Sequence, residues 1–458
     1  MNLKIEKALN FYIFFVLLSS IVYLLIYNLL HYDQIFGYDG EAHHNYVQNF
    51  LNIYLYNNDQ PSSTFTREFF SPPLPYVFPT IINELCKRYV EIENLYESCR
   101  EIYSFGTIFF QSVLYLLTLF VYLKIVKLFF NSISIFSFST LLLLSIFTIN
   151  YKTVVMLRGE IYILFLNSIT LYIFLKLCKS QFQYTKRDIF IFGLLIGLLA
   201  LSRQWAFLLF PGYIALLALI KRERKNYFFF MVYSSLIGFL ISSWFYFDLY
   251  FEYGTFTAFN ETAIKFSFSN QPRSFYIPTN ESLITLFKKP IRPNFDNQLV
   301  PILYADLWGD YWGYFSFTSR DLGSGRNQVY IGDYLARVNI VSLLPTIFYI
   351  LTFIFTAKNI FKNVLNNEDY FLHYLIFSVL FSFIGYFIFL ISYPVESGDT
   401  IKSSYIIQMF HMIGLISSIY LEKLKNKNLA LYSFIIFYFC SVYIHNFSAM
   451  MSHFRSIK

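Results

Sequence analysis

The sequence predicts an all-α polytopic membrane protein of about eleven transmembrane helices, and three observations carry that expectation. Of its 458 residues, 56% are hydrophobic, 22% aromatic and only 14% charged, which lies outside ordinary soluble usage. Apolar runs such as FYIFFVLLSSIVYLLIYNLL (11–30) reach the ~20 residues that cross a bilayer. The polar gaps between runs alternate between basic and acid-bearing. The net charge of +7 is therefore topological and no sign of a nucleic-acid partner.

In chain order the apolar runs fall near 11–30, 104–123, 133–149, 159–175, 189–202, 204–220, 227–247, 341–357, 371–392, 403–421 and 429–445. Lys4 and Lys7 precede the first run, which has no small-residue cleavage site and reads as a retained anchor. One set of gaps carries Lys124/Lys127, Lys176/Lys179/Lys186/Arg187, Lys221/Arg222/Arg224/Lys225, Lys358/Lys362 and Lys423/Lys425/Lys427. The positive-inside rule puts this set and the amino terminus in the cytoplasm of a multi-pass cell-membrane protein, and the tail SHFRSIK outside. The runs 189–202 and 204–220 read as a tight pair around SRQW; fusing them into one helix would leave the basic gap at Lys221 to Lys225 outside.

The chain reads as one transmembrane domain with two long external gaps, 31–103 and 248–340. In the first, apolar residues recur at helical spacing from Ala42 to Tyr56 and again in IINELCKRYV, as in amphipathic helices lying in the membrane interface. Between them SPPLPYVFP predicts extended backbone. Cys86 and Cys99 share this gap, where a disulfide and two free thiols are both open; the four cysteines form no metal spacing. No internal repeat stands out.

The chemistry-bearing stretch is GYDGEAHH, just past the first run. Asp39 and Glu41 are candidate general bases, and Asp39 would alternatively cap the helix that follows. His43 lies one helical turn beyond Asp39, within reach of a hydrogen bond. Asp, Glu and neutral imidazole are also ordinary ligands for a divalent cation, although adjacent His43 and His44 point about 100° apart on a helix. Elsewhere on the same predicted face stand Arg67 beside Glu68, Arg158 and Glu160, Arg203, Asp399 and Lys402. Arg67 and Glu68 would form a loop ion pair or face a substrate; Arg158 and Glu160, two apart, would face different sides of a helix. Asp399 or Thr400 would cap a span in which Lys402, one turn in, needs an anion. In YADLWGDYWGYF, the pairs Trp308/Trp312 and Asp306/Asp310 are each four apart. A helix there would set an aromatic stripe beside an acidic one, as suits a sugar, or form an interfacial belt.

Charges at span ends are costly in hydrocarbon unless they pair or face a cavity, and these converge on one face. Arg203 and Lys402 suit a lipid phosphate, and Asp39 above them suits deprotonation of a hydroxyl. That combination would carry out displacement at a sugar's anomeric carbon. There is no nucleotide-binding glycine loop, so the donor would arrive within the membrane.

With YDGEAHH (Tyr38 to His44) directly after the first run and FFSPPLPY (Phe69 to Tyr76) in the same gap, the layout resembles the membrane-embedded glycosyltransferases of the GT-C class. It is similar in particular to the bacterial relatives of the dolichyl-phosphate-mannose protein mannosyltransferases. The resemblance implies a GT-C-like fold with a large first external loop. It further implies an inverting transfer from a polyprenyl-phosphate-linked sugar, with the catalytic acid at Asp39 or, because Gly40 separates the pair, at Glu41. The absence of a large soluble carboxy-terminal domain favours transfer of one sugar, to an acceptor hydroxyl on a protein, lipid or glycan. The competing expectation is a transporter or flippase for a lipid-linked or anionic substrate, which predicts inverted repeats and broken or charged helices at mid-membrane; the sequence displays neither. A non-catalytic assembly protein would give no reason for the first-loop acids.

Overall fold

A computed structural model describes residues 3–56, 66–89, 95–130, 135–257, 259, 263–316, 326–362 and 367–452. The tail from 453 and part of the first long gap, residues 57–65, lie outside these.

Among the described residues, regular structure is helical, the form in which an apolar segment satisfies its own backbone in lipid. α1 (Leu3–His31) leads to the short helices α2 (Gly40–Leu51) and α3 (Leu74–Tyr89), and then to α4 (Leu95–Phe130). α5 (Phe138–Ser145) and α6 (Thr148–Val155) precede α7 (Glu160–Lys179) and α8 (Lys186–Ser202). α9 (Phe210–Leu219), α10 (Arg224–Tyr253) and three short helices, α11 (Arg273–Tyr276), α12 (Asn280–Leu286) and α13 (Leu299–Trp308), follow. α14 (Arg326–Lys362), α15 (Asn367–Ser392), α16 (Ile407–Lys427) and α17 (Leu429–His445) complete the bundle.

The helices support seven to eight crossings by length and composition rather than eleven. Seven are long and apolar enough to span: those around Asn10–His31, Cys99–Phe130, Glu160–Lys179, Arg224–Tyr253, Ile331–Ile360, Asp369–Ser392 and Ser403–Lys427. The eighth is the expected run 133–149, which is in fact broken: α5 and α6 meet at 65°. The break is stable because the Asn150 side chain donates to the Leu144 carbonyl (2.8 Å), which would otherwise be orphaned at the end of α5. Lys186–Ser202, Gln204–Leu219 and Leu429–His445 are shorter. The chain between the first two turns at Arg203, whose backbone is extended (φ −166°, ψ 148°).

α16 is the most enclosed span and α10 among the least. α8 packs on α10 through glycines: a Cβ on Gly193 would lie 2.6 Å from the Ser234 carbonyl oxygen, and one on Gly197 2.7 Å from Ile241 Cβ. Small residues let the two backbones approach, which is how helices associate where lipid removes the hydrophobic driving force. The Pro-rich stretch is not extended as expected. Pro72 and Pro73 stay outside, but Pro75 sits in the first turn of α3, where a missing N–H is no loss, and Pro79 lies within it. A disulfide joins Cys86 of α3 to Cys99 of α4, with Cα atoms 5.6 Å apart.

Candidate functional site

Asp39 owes its position to a compressed turn. The chain leaves α1 through a 3₁₀ turn at Gln34–Phe36, capped by Asp33, which accepts from the Ile35 N–H (3.2 Å). Gly37 donates to the Gln34 carbonyl, and Gly40 to that of Gly37. A Cβ on Gly40 would lie 2.6 Å from the Ile35 carbonyl oxygen, so only glycine fits between the two acids. Asp39 itself is left-handed (φ 52°, ψ 28°), a conformation that costs L-residues roughly 1 kcal/mol or more. Its side chain does not cap α2, contrary to one reading of the sequence. The carboxylate instead lies 3.8 Å from the Lys402 ammonium. Glu41, on the exposed side of α2, does not line this cavity.

Lys402 precedes its helix rather than sitting one turn inside it, and neither Asp399 nor Thr400 caps the span. Its backbone N–H donates to the Tyr386 hydroxyl (2.8 Å). The ammonium lies over the rings of Tyr38 (4.6 Å) and Tyr405 (5.6 Å). The Arg158 guanidinium also lies against both rings, at 5.5 and 5.2 Å. Two tyrosines thus hold two cations by the negative potential of their faces.

Behind this wall runs a chain of alternating charge. Arg158 and Glu160 pair with each other at 3.5 Å, because residues 156–159 form a bend and the helical rule for residues two apart does not govern them. Glu160 is 3.6 Å from Arg203, and Arg203 is 3.1 Å from Glu68. Arg203 also donates to Ser71 Oγ, which donates to Glu68 (2.5 Å). Glu68 approaches His43 Nε2 at 3.9 Å, while His43 Nδ1 bonds to the Tyr76 hydroxyl (2.7 Å) rather than to Asp39. Glu68 is therefore the partner of Arg203, and Arg67 is exposed beside it.

The charges set protonation. Burial, the largest single influence, pushes the Asp39 carboxyl up, but the Lys402 ammonium, with Arg158 and His43 behind it, holds the group below the usual range. Burial likewise opposes ionisation of Glu68, yet His43 and the guanidiniums of Arg203 and Arg158 hold it far below. Burial pushes His43 down to about 4, Glu68 opposing, so the ring is neutral at physiological pH.

Beneath lies a second buried cluster, in which Lys152, which no motif in the sequence marks out, joins the acids Asp306 and Asp310. Lys152 donates to the carbonyl (3.1 Å) and to the carboxylate of Asp306. The same carboxylate accepts from the Tyr38 hydroxyl (3.2 Å) and, on its other oxygen, from the Ser403 N–H (2.8 Å). It thereby anchors the immediate neighbours of Asp39 and Lys402. Asp310 lies 4.0 Å from Lys152 and accepts from the Phe315 and Ser316 N–H groups (2.9 Å each), so it closes a turn and presents no oxygen to a sugar. Trp308 is core: it packs against Phe147 and donates to Thr346 (2.8 Å), and α13 ends there, so no Trp308/Trp312 stripe exists. Trp312 donates to the Ile401 carbonyl (3.0 Å) and lines the cavity.

The cavity has a volume of about 190 Å³ and brings together Asp39, Arg67, Glu68, Trp312, Asp399 and Lys402. At Phe259 it adjoins a second, of about 240 Å³, with Arg203, Gln204 and Trp205 on its wall. At Phe207 that one adjoins an apolar groove of about 680 Å³ between α9 and α10. The groove is on the lipid-facing side, where Ile214 is 73% exposed. Among the described residues no three His, Cys, Asp or Glu side chains gather in a way that could hold a metal ion.

Lys152 had one legible signal, a lone cation in the short gap between two apolar runs; its contact with Asp306 joins two distant segments of the chain. Compared with known proteins, the chain matches no family model and no curated protein.

Proposed function

We propose that this protein is an inverting, GT-C-like glycosyltransferase that moves a single sugar from a polyprenyl-phosphate carrier to an acceptor hydroxyl, with Asp39 as general base. One observation supports it above the rest: the Asp39–Lys402 pair stands in a polar cavity that adjoins, through Phe259 and Phe207, an apolar groove facing the lipid. A lipid phosphate at Lys402, with Arg203 beside its path, would run its chain down α9 and α10. The acceptor oxygen attacks the anomeric carbon opposite the phosphate, its proton passes to Asp39, and the carbon–oxygen bond to phosphate breaks with its electron pair remaining on the carrier. As the phosphate takes over the Lys402 ammonium, Asp39 loses the charge that depresses its basicity. The fixed cations stabilise the developing phosphate charge.

The disulfide and Asp39 share one end of the bundle and the lysine-rich helix ends occupy the other, which supports an extracytoplasmic site. The broken pair α5 and α6 favours the second reading, a transporter. Against it, Phe147 at the break packs on Trp308 and Tyr349, and the break lines none of the three adjoining cavities.

The test is reconstitution in liposomes with radiolabelled polyprenyl-phosphate sugars and a panel of acceptor hydroxyl compounds. Native protein should release polyprenyl phosphate and transfer label, and Asp39→Asn should bind donor but turn over roughly 10²–10⁴-fold more slowly. Label crossing the bilayer without cleavage of the donor would instead establish transport.

A further inference from the structure

The opposite end of the bundle holds a pocket that the transfer reaction does not use. It has a volume of about 200 Å³ and lies where the last turns of α14 and α16 meet the start of α15. α16 is 21 residues long, which sets the pocket about 30 Å from the Asp39 end. Lys423 and Lys427, one turn apart on α16, form one wall, and Thr356 and Asn359 on α14 form another. The floor is apolar, made by the buried side chains Ile360, Leu372 and Ile419.

The two lysines have the character of ligand-binding groups. Among the described residues neither forms an ion pair, although acids are near: Glu422 is buried and taken by Ser137 and Ser139 (2.7 and 2.5 Å). Among the described residues Asp369 is the one carboxylate on the pocket wall, against two lysines. Lys423 is steadied over the Phe129 ring at 5.6 Å. An apolar floor between helices, beneath two cations and neutral hydrogen-bonding groups, fits a molecule that is anionic at its head and hydrocarbon below. Basic pockets between spans at the cytoplasmic surface bind phospholipid headgroups for this reason.

We propose that the pocket between α14, α15 and α16 is a binding site for an anionic phospholipid, the phosphodiester on Lys423 and Lys427 and the acyl chains against the apolar floor. Thr356 and Asn359 supply neutral hydrogen-bonding groups beside the head, as suits a hydroxyl-bearing headgroup such as phosphatidylglycerol. The site is independent of the sugar-transfer reading.

The full chain would be exchanged from detergent into nanodiscs of phosphatidylcholine doped with phosphatidylglycerol, and lipid retained after release would be measured by native mass spectrometry. Native protein should retain phosphatidylglycerol in preference to phosphatidylcholine, and Lys423→Gln/Lys427→Gln should lose that preference roughly tenfold or more. Both lysines are exposed, so the fold should survive; circular dichroism checks it. Lys221→Gln/Lys225→Gln, at the same end but outside the pocket, should keep the preference. Equal losses in both double variants would mean diffuse surface charge and overturn the proposal, as would equal retention of the two lipids by native protein. Displacement of the lipid by millimolar inorganic phosphate would assign the site to a free anion and overturn the lipid assignment.

Discussion

The Lys152 ammonium is buried against the Asp306 carboxylate, the two side chains being 1% and 0% exposed. Such a pair gains little over an apolar pair of the same size, but losing one partner leaves a stranded charge that costs about 3–5 kcal/mol. Asp306 also holds Tyr38 and Ser403, so the pair's geometry is transmitted to Asp39 and Lys402. Lys152→Met and Asp306→Asn should each destabilise the protein by roughly that amount, and the double variant by at least 2 kcal/mol less than their sum. Denaturant unfolding in detergent, run as a double-mutant cycle, checks this; simple additivity would mean the two charges are not coupled.

Lys402 sets the basicity of Asp39. Its ammonium is the main influence opposing burial, so removing it should let the carboxyl rise. Turnover that requires ionised Asp39 is present above its pKa and lost as pH falls through it. The native acid limb should therefore lie below the usual carboxylate range, and Lys402→Met should move it to higher pH while also weakening donor binding. The measurement is kcat/KM against pH, and a limb that stays in place would remove Asp39 from the ionisation that controls rate.

His43 makes the fold sensitive to mild acid. Its folded value is about 4 against an ordinary 6.5, so the unfolded chain takes up a proton first as pH falls. Stability should thus decline from about pH 6.5 to about pH 4, by up to about 3 kcal/mol from this residue, and gain no further loss from it below. His43→Gln, which can still bond Tyr76, should flatten that interval. Stability measured between pH 7 and pH 4 decides it, a parallel decline in the variant assigning the effect to other groups such as His44.

What was legible in the sequence was what apolar patterning controls. The long runs became helices because lipid leaves the backbone no other partner, and charged span ends did collect at one end of the bundle. The count of crossings was less legible, since hydropathy does not see Asn150 satisfying Leu144 at the break between α5 and α6. Pairings between distant segments were not legible at all. Adjacency offers Arg67 as an ion-pair partner for Glu68, whereas the fold pairs Glu68 with Arg203; spacing offers Trp308 and Asp310 to a sugar, whereas they stand in the core and in a turn. Gly40, which separates the two acids, is explained by the carbonyls of Gln34 and Ile35, which leave no room for a Cβ.

The groove between α9 and α10 makes its own demand on the donor. An alkyl chain bound there contributes about 0.8 kcal/mol per buried methylene, and contributes it equally before and during reaction. Narrowing the groove should therefore raise KM and leave kcat nearly unchanged. Ser235 lines the groove and is exposed, so Ser235→Trp adds bulk without disturbing the contact of α8 with α10. With a long-chain polyprenyl-phosphate sugar, KM should rise roughly tenfold, about 1.4 kcal/mol. With a donor whose chain is too short to reach Ser235, KM should match that of the native protein. An equal rise for both donors would place the chain elsewhere on the bundle, and a fall in kcat alone would mean that the substitution acts on the Asp39 cavity through the fold.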